Sequence, residues 1–333
     1  MERRNTPAGP VRPARDAGLA ALDDAARTRV ASAAAAALAG NTRATYASQW
    51  NRFCAWCEER GVADPLDAGA AQVAAYLAER AETRKLATVQ ASAAAITAAA
   101  RSAGRADPTK TPLVADTLRG IARQHAAAPE AAPRQAAALD YATALDLMRA
   151  ASRPQRRGRG RETPEAAAAR GRRDAAIVAL AFCAGLRRSE IAALVWGDIT
   201  PTARAGQQRI RVRSSKTNTD GRREDLRLLA GPFARAVETL RTATVPAAAE
   251  RVVPLSPHQV NRRLQVLAVM LGLEGVSSHS GRRGLASELV RRGASTTAVQ
   301  AAGGWRSAAM VARYASAVTV EDGAVARLFG GGG

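Results

Sequence analysis

Much of the apolar content of this chain is alanine, and that restricts the kind of core it can build. Alanine is the best helix former but buries little area. Such a chain has to assemble many helices packed closely through small side chains, because aromatic residues make up only 4% of it against 47% hydrophobic residues. Its 333 residues are long for one hydrophobic core and comfortable for two.

One segment breaks the helical pattern. Over 208–229, RIRVRS alternates, TNTDG carries an Asp-Gly turn signal and REDLRLL alternates again, which predicts a β-hairpin with Lys216 at the exit of its first strand. Elsewhere the period is helical. A helix beginning near Asn41 and Thr42 carries Tyr46, Trp50, Phe53, Ala55 and Trp56 on its apolar face, and more helices follow at about 69–82, 86–103 and 111–125. The Ala- and Pro-rich stretch AAAPEAAPRQAA reads as a linker. Beyond it, 153–173 is too polar for a core and predicts a flexible basic loop; helices are expected at about 173–186, through Ser189 to Leu194, at 232–243 and 256–271, and on to Leu328. The implied organisation is a flexible tail over 1–38, a helical unit over 39–126, a linker over 127–138 and a second unit over 139–333.

The charge narrows the partner. A formal net charge of +20, from 49 basic and 29 acidic residues, points to a polyanion, with nucleic acid ahead of a membrane surface. Arg43, Arg52, Arg84 and Lys85 are candidates to lie along DNA. Three cysteines make no disulfide framework, and Cys54-x-x-Cys57 has no second pair to complete a zinc site, so buried structural thiols are expected. With no apolar run of membrane-spanning length and no signal-peptide pattern, the expectation is a soluble protein of a reducing cytoplasm. No phosphate-binding glycine loop or paired-carboxylate motif occurs, and three histidines cannot make a histidine-rich metal centre.

The chemistry concentrates near the C-terminus. In 277–317, His279 and Arg282 stand three apart at a helix start and so share a side. Gly293 ends that helix, Ser295 or Thr296 caps the next, Gly303-Gly304 ends it in turn and presents Trp305, and a last short helix carries Tyr314. Upstream, AGLRRSE offers Arg187 and Glu190, also three apart. Two arginines can fork onto the non-bridging oxygens of a phosphodiester. A histidine and an indole N–H add hydrogen bonds, and a tyrosine hydroxyl can attack phosphorus. The leaving oxygen needs an acid, for which arginine is poorly suited; Lys216 is one of only three lysines against 46 arginines. Singly, each has a plain alternative: an ion pair, a capping histidine, a core tryptophan, an ordinary tyrosine.

Taken together and in this order, they resemble the tyrosine recombinases, the phage integrase family. AGLRRSEIAALVWGDI resembles the family's first arginine box, SSKT its hairpin lysine, and H-S-G-R followed by GGW and Y its second box. Trp305, with G-A-V-A-R-L after the tyrosine, resembles the Cre-like members, as does NTRATYASQWNRFCAWCEERG. Gly281 stands where many members carry a larger apolar residue, which predicts a looser helix start, and the basic insertion at 153–173 has no counterpart.

The resemblance implies a mainly α fold: a two-domain clamp of an N-terminal helical, SAM-like core-binding domain and a tyrosine-recombinase catalytic domain, α with a small antiparallel β-sheet. It implies that Arg187 and Arg282 clamp the scissile phosphate, that Glu190 orients Arg187, and that Lys216 is the general acid. His279 and Trp305 would hold the phosphate, and Tyr314 would attack it. It implies a double-stranded DNA target site and a homo-tetramer on two such sites, acting through a Holliday junction. No metal, ATP or other cofactor, no membrane and no small-molecule substrate would be involved. A helix near 320–329 would dock into a neighbouring protomer. SPHQVNRRLQVL resembles the family's major-groove helix, which nominates His258, Asn261, Arg262 and Arg263 for DNA contact, with Thr88 and Gln90 in the first unit. A topoisomerase-like or catalytically silent DNA-binding member of the same fold stays open as an alternative.

Overall fold

The computed structural model describes residues 23–26, 29, 40–127, 136–157, 160–213 and 224–321. Outside the described residues lie nearly all of the expected tail, most of the linker, the hairpin tip with Lys216, and all but the first two residues of the expected docking helix. The chain divides into two compact units, Met1–Pro133 and Arg134–Gly333.

The first unit is helical, with α1 (Gly40–Glu59), α2 (Ala70–Thr83), α3 (Leu86–Ser102) and α4 (Pro112–Ala127). Its core is small and aromatic at one end. Phe53 packs on Trp50, Trp56 and Tyr76 at ring separations of 5.6, 6.2 and 5.0 Å, and the rest is filled by Cys57, Leu77, Val89, Ile96, Val114 and Ile121. The apolar face of α1 is rotated slightly from the expected one: Ala55 is exposed and Cys57 buried. Large rings are confined to this corner because alanine supplies the close helix approaches elsewhere.

The second unit is built around α6 (Pro164–Phe182), preceded by α5 (Tyr141–Ala150) and a two-residue hairpin, β1 (Arg156–Arg157) with β2 (Gly160–Arg161). It continues through α7 (Arg188–Ala193), β3 (Ile199–Pro201), β4 (Gln207–Arg211), β5 (Leu226–Ala230), α8 (Gly231–Thr244) and α9 (Pro257–Met270). Three helices close it: α10 (Ser280–Arg291), α11 (Thr296–Gly303) and α12 (Ala308–Glu321). The sheet is antiparallel in the order β3-β4-β5, so the expected hairpin gains a third strand. The C-terminal half of α6, from Ala176 to Phe182, is buried on all sides. Around it gather Leu147, Leu186, Ile191, Ile210, Leu229, Phe233 and Leu264. Leu285, Val299, Trp305 and Val311 form a separate small cluster among the last three helices, with Tyr314 packed against it.

Two expectations need correction. The stretch 153–173 is not loop throughout: α6 begins at Pro164, capped by Thr163, whose hydroxyl accepts from Ala166 N at 3.3 Å. Three of its charges, Glu162, Arg170 and Arg173, look solvated in sequence but pair internally. Asp174, fully buried, takes Arg263 at 2.6 Å, Arg173 at 2.9 Å and Arg170 at 3.2 Å. Arg170 also reaches Glu162, whose own N–H closes the hairpin onto Gln155 O. The second correction is Gly281, which tightens the start of α10 instead of loosening it. A Cβ there would meet the Ala181 carbonyl oxygen at 2.5 Å, so the glycine lets α10 lie directly on the backbone of α6.

Candidate DNA-cleavage site

Arg187 sits at the N-cap of α7, just after the turn that follows α6. Glu190, buried, closes the turn from both sides. Its Oε2 accepts Arg187 N at 2.8 Å and its Oε1 accepts the Arg187 guanidinium at 2.5 Å. A carboxylate so placed fixes where the guanidinium points and leaves its other donors unused. Arg282 arrives from α10. Its Nη1 donates to Gly185 O, at the end of the same turn, and its Nη2 is buried without an acceptor on the chain. The close seating of α10 on α6 brings the second arginine beside the first.

Trp305 completes the wall. The Arg282 guanidinium lies 4.9 Å from the centre of its ring, and the Trp305 and Tyr314 rings are 6.0 Å apart. Gly304, in the left-handed region at φ 64°, ends α11 and turns the indole inward. The Trp305 Nε1 is buried with no acceptor. Tyr314 is half-buried, and α12 is tied to α10 where Ser287 donates to Tyr314 O at 3.0 Å.

The electrostatics follow from burial. The Arg282 pKa is pulled down to about 10, first by loss of water, then by the neighbouring Arg187. Glu190 opposes this, Arg227 adds to the depression and Tyr314 opposes it again. Four ionisable side chains thus act on Arg282, two of them guanidiniums. Each buried donor without an acceptor costs about 1–3 kcal/mol. A set of them, all donors and mostly cationic, is built to receive an anion with several acceptor oxygens.

The structure brings together Arg187, Glu190, Arg282, Trp305 and Tyr314. His279 is the N-cap of α10 and is exposed on the same helix end as Arg282. Lys216 lies outside the described residues. Sequence reasoning missed Arg227, which is buried against Gly304 and helps to depress the Arg282 pKa.

The nominated DNA contacts separate into two kinds. Arg43, Arg52, Arg84, Lys85 and Gln90 are exposed on the first unit, and Thr88 is half-buried. On α9, His258 and Arg262 are exposed. Asn261 is committed inward, its Oδ1 accepting Ser278 N at 2.7 Å and so holding the loop that precedes His279. Arg263 is committed to Asp174 and, at 3.0 Å, to Gln155.

Comparison with known proteins bears on the fold. Residues 162–319 match the family model described as the phage integrase family. A crystal structure of XerH site-specific recombinase bound to palindromic difH substrate is similar at 15% identity and a TM-score of 0.54, over 78% of this chain and 72% of that one. A lambda integrase dimer bound to a COC' core site is similar at 20% identity and a TM-score of 0.53, over 84% of this chain and 89% of the other. A lambda integrase tetramer bound to a Holliday junction is similar at 20% identity and a TM-score of 0.53, over 83% and 72%. These likenesses are of fold. No curated protein sequence matches the chain.

Proposed function

Since residues 162–319 carry a phage integrase family domain and the fold is that of the tyrosine recombinases, we propose that the chain is a site-specific DNA recombinase whose nucleophile is Tyr314. One observation carries the reading: Arg282 bridges from Arg187's turn to the Trp305 ring, which in turn faces Tyr314. Guanidiniums, an indole N–H and a phenol are therefore neighbours, the donors and nucleophile that attack on a phosphodiester requires.

In this mechanism Arg187 and Arg282 bind the two non-bridging oxygens and offset the charge that grows as phosphorus becomes five-coordinate. Trp305 and His279 add donors. The Tyr314 oxygen attacks, its phenolic proton leaves, and the bond to the 5′ oxygen breaks. A 3′-phosphotyrosine remains, and Lys216 protonates the departing 5′ oxygen. The ester conserves the energy of the broken bond, so a 5′-hydroxyl from a second duplex can reverse the step. Two rounds between two sites pass through a Holliday junction, which calls for four protomers. Residues 39–126 serve as the core-binding domain, 127–138 as the linker and 139–333 as the catalytic domain, with the helix near 320–329 docking between protomers. The working location is the cytoplasm, on nucleoid DNA.

The test is covalent trapping on nicked duplexes drawn from the DNA that flanks the native gene. Tyr314→Phe should abolish the adduct and leave salt-sensitive DNA binding intact. Undiminished adduct from that variant would refute the nucleophile.

A further inference from the structure

Among the described residues two arginines are buried, Arg282 at 2% exposure and Arg227 at 4%. The second stands on β5 in a way its sequence conceals. In LRLLA the leucines at 226 and 228 look like the inward face, yet it is Arg227 and Leu229 that point inward, and Leu228 is 46% exposed. A strand that gives an inward position to a cation and turns a leucine to solvent loses stability unless something else is gained.

The anchoring of Arg227 repeats that of the other two arginines. Nη1 of Arg187 is held by Glu190, Nη1 of Arg282 by Gly185 O, and Nη1 of Arg227 by Asp225 and, at 2.7 Å, by Leu226 O. In each case one nitrogen is tethered. For Arg227 the remaining Nε and Nη2 are buried and meet no acceptor on the chain, as is true of Arg282 Nη2 and Trp305 Nε1. The guanidinium lies against Gly304, where a Cβ would overlap Nη2, so it adjoins the turn that presents Trp305. Arg227 and Trp305 also line one cavity of about 820 Å³, whose walls include Gln300 and Arg306. Arg227 therefore lines that cavity beside Trp305, while its Nε and Nη2 are themselves covered by protein.

We propose that Arg227 is a third phosphate-binding arginine of the reaction centre, donating from Nη2 to the scissile phosphodiester alongside Arg187 and Arg282. This rests on the recombinase reading above. Three guanidiniums against the two tethering carboxylates Glu190 and Asp225 leave a net positive charge to meet the phosphate, and the third donor strengthens as charge builds on the equatorial oxygens.

The test uses the full chain and two nicked duplexes bearing the site at which the wild-type protein forms its adduct. One carries the ordinary scissile phosphate; the other carries a methylphosphonate there, which lacks one anionic oxygen. Arg227→Met should slow adduct formation on the phosphate by roughly 10²-fold or more. On the methylphosphonate its deficit should shrink to within about threefold, because there is less charge to neutralise. Arg227→Lys, which keeps the charge but not the fork, should fall between and carries the same comparison should the methionine variant fail to fold. An equal deficit on both duplexes would mark a structural role and overturn the proposal, as would no deficit on either. Failure of the wild-type protein to form any adduct, or persistence of the adduct in Tyr314→Phe, would instead overturn the recombinase reading itself.

Discussion

Arg187 and Tyr314 are built on different foundations. Arg187 follows α6, whose second half is buried on every side by Leu147, Leu186, Ile191 and Leu264. Tyr314 rides on α12, packed against the small cluster of Leu285, Val299, Trp305 and Val311. The two meet through α10, which lies on α6 at Gly281 and is bonded to α12 at Ser287. On the proposed mechanism, the large core holds the cradle for charge, and the small one holds the phenol that has to reach the phosphorus and later carry the DNA. Such a division lets the nucleophile shift without loosening the cradle, since sub-global opening starts where few apolar contacts must break.

Core truncations sharpen the contrast most. Leu180→Ala should cost about 2–5 kcal/mol and lower the denaturation midpoint of the whole second unit. Val311→Ala should cost about 1–2 kcal/mol and show itself mainly as faster amide exchange in α11 and α12; equal exchange throughout would erase the distinction between the two regions. Comparable to the larger of these is Arg282→Met. It should slow adduct formation by about 10²–10³-fold yet leave the melting temperature of the free protein unchanged or raised, because it removes a buried cation with unused donors. A clear fall in melting temperature would mean that the cradle is a structural element first. Gly281→Ala tests the joint. Pushing α10 off α6 should cost about 1–3 kcal/mol in thermal unfolding and slow cleavage without altering DNA affinity. The smallest effect belongs to Asn261→Ala, where loss of the bond to Ser278 should cost about 1 kcal/mol and reduce the cleavage rate through misplacement of His279, leaving sequence preference unchanged.

What the sequence disclosed follows the same line. Arg187 with Glu190, and His279 with Arg282, were legible because their spacing puts them on one turn, and a local relation survives in the order of letters. The glycine pair before Trp305 was legible because a helix end has a local signature. Arg227 was hidden, since leucines on both sides of it let the alternation be set either way. The start of α6 was hidden because Arg170 and Asp174 look like solvated charge until Arg263, 89 positions from Asp174, is known to be their partner. Asn261 looked like a base reader for a similar reason, its true partner Ser278 lying 17 positions away. Residues whose contacts depend on a distant neighbour were misread or missed, and those whose neighbours lie on the next turn were placed where they were expected.

On the proposed recombinase reading, the two-sided character of α9 bears on any effort to redirect the protein to a new sequence. His258, Arg262 and Gln265 form one outward stripe at helical spacing and are exposed. Between them, Asn261 and Arg263 hold up the loop before His279 and the hairpin arm. A combinatorial library that varies the stripe and freezes the intervening pair would explore specificity with the folded frame intact, whereas one that randomises the whole helix would spend most of its members on proteins with a broken scaffold.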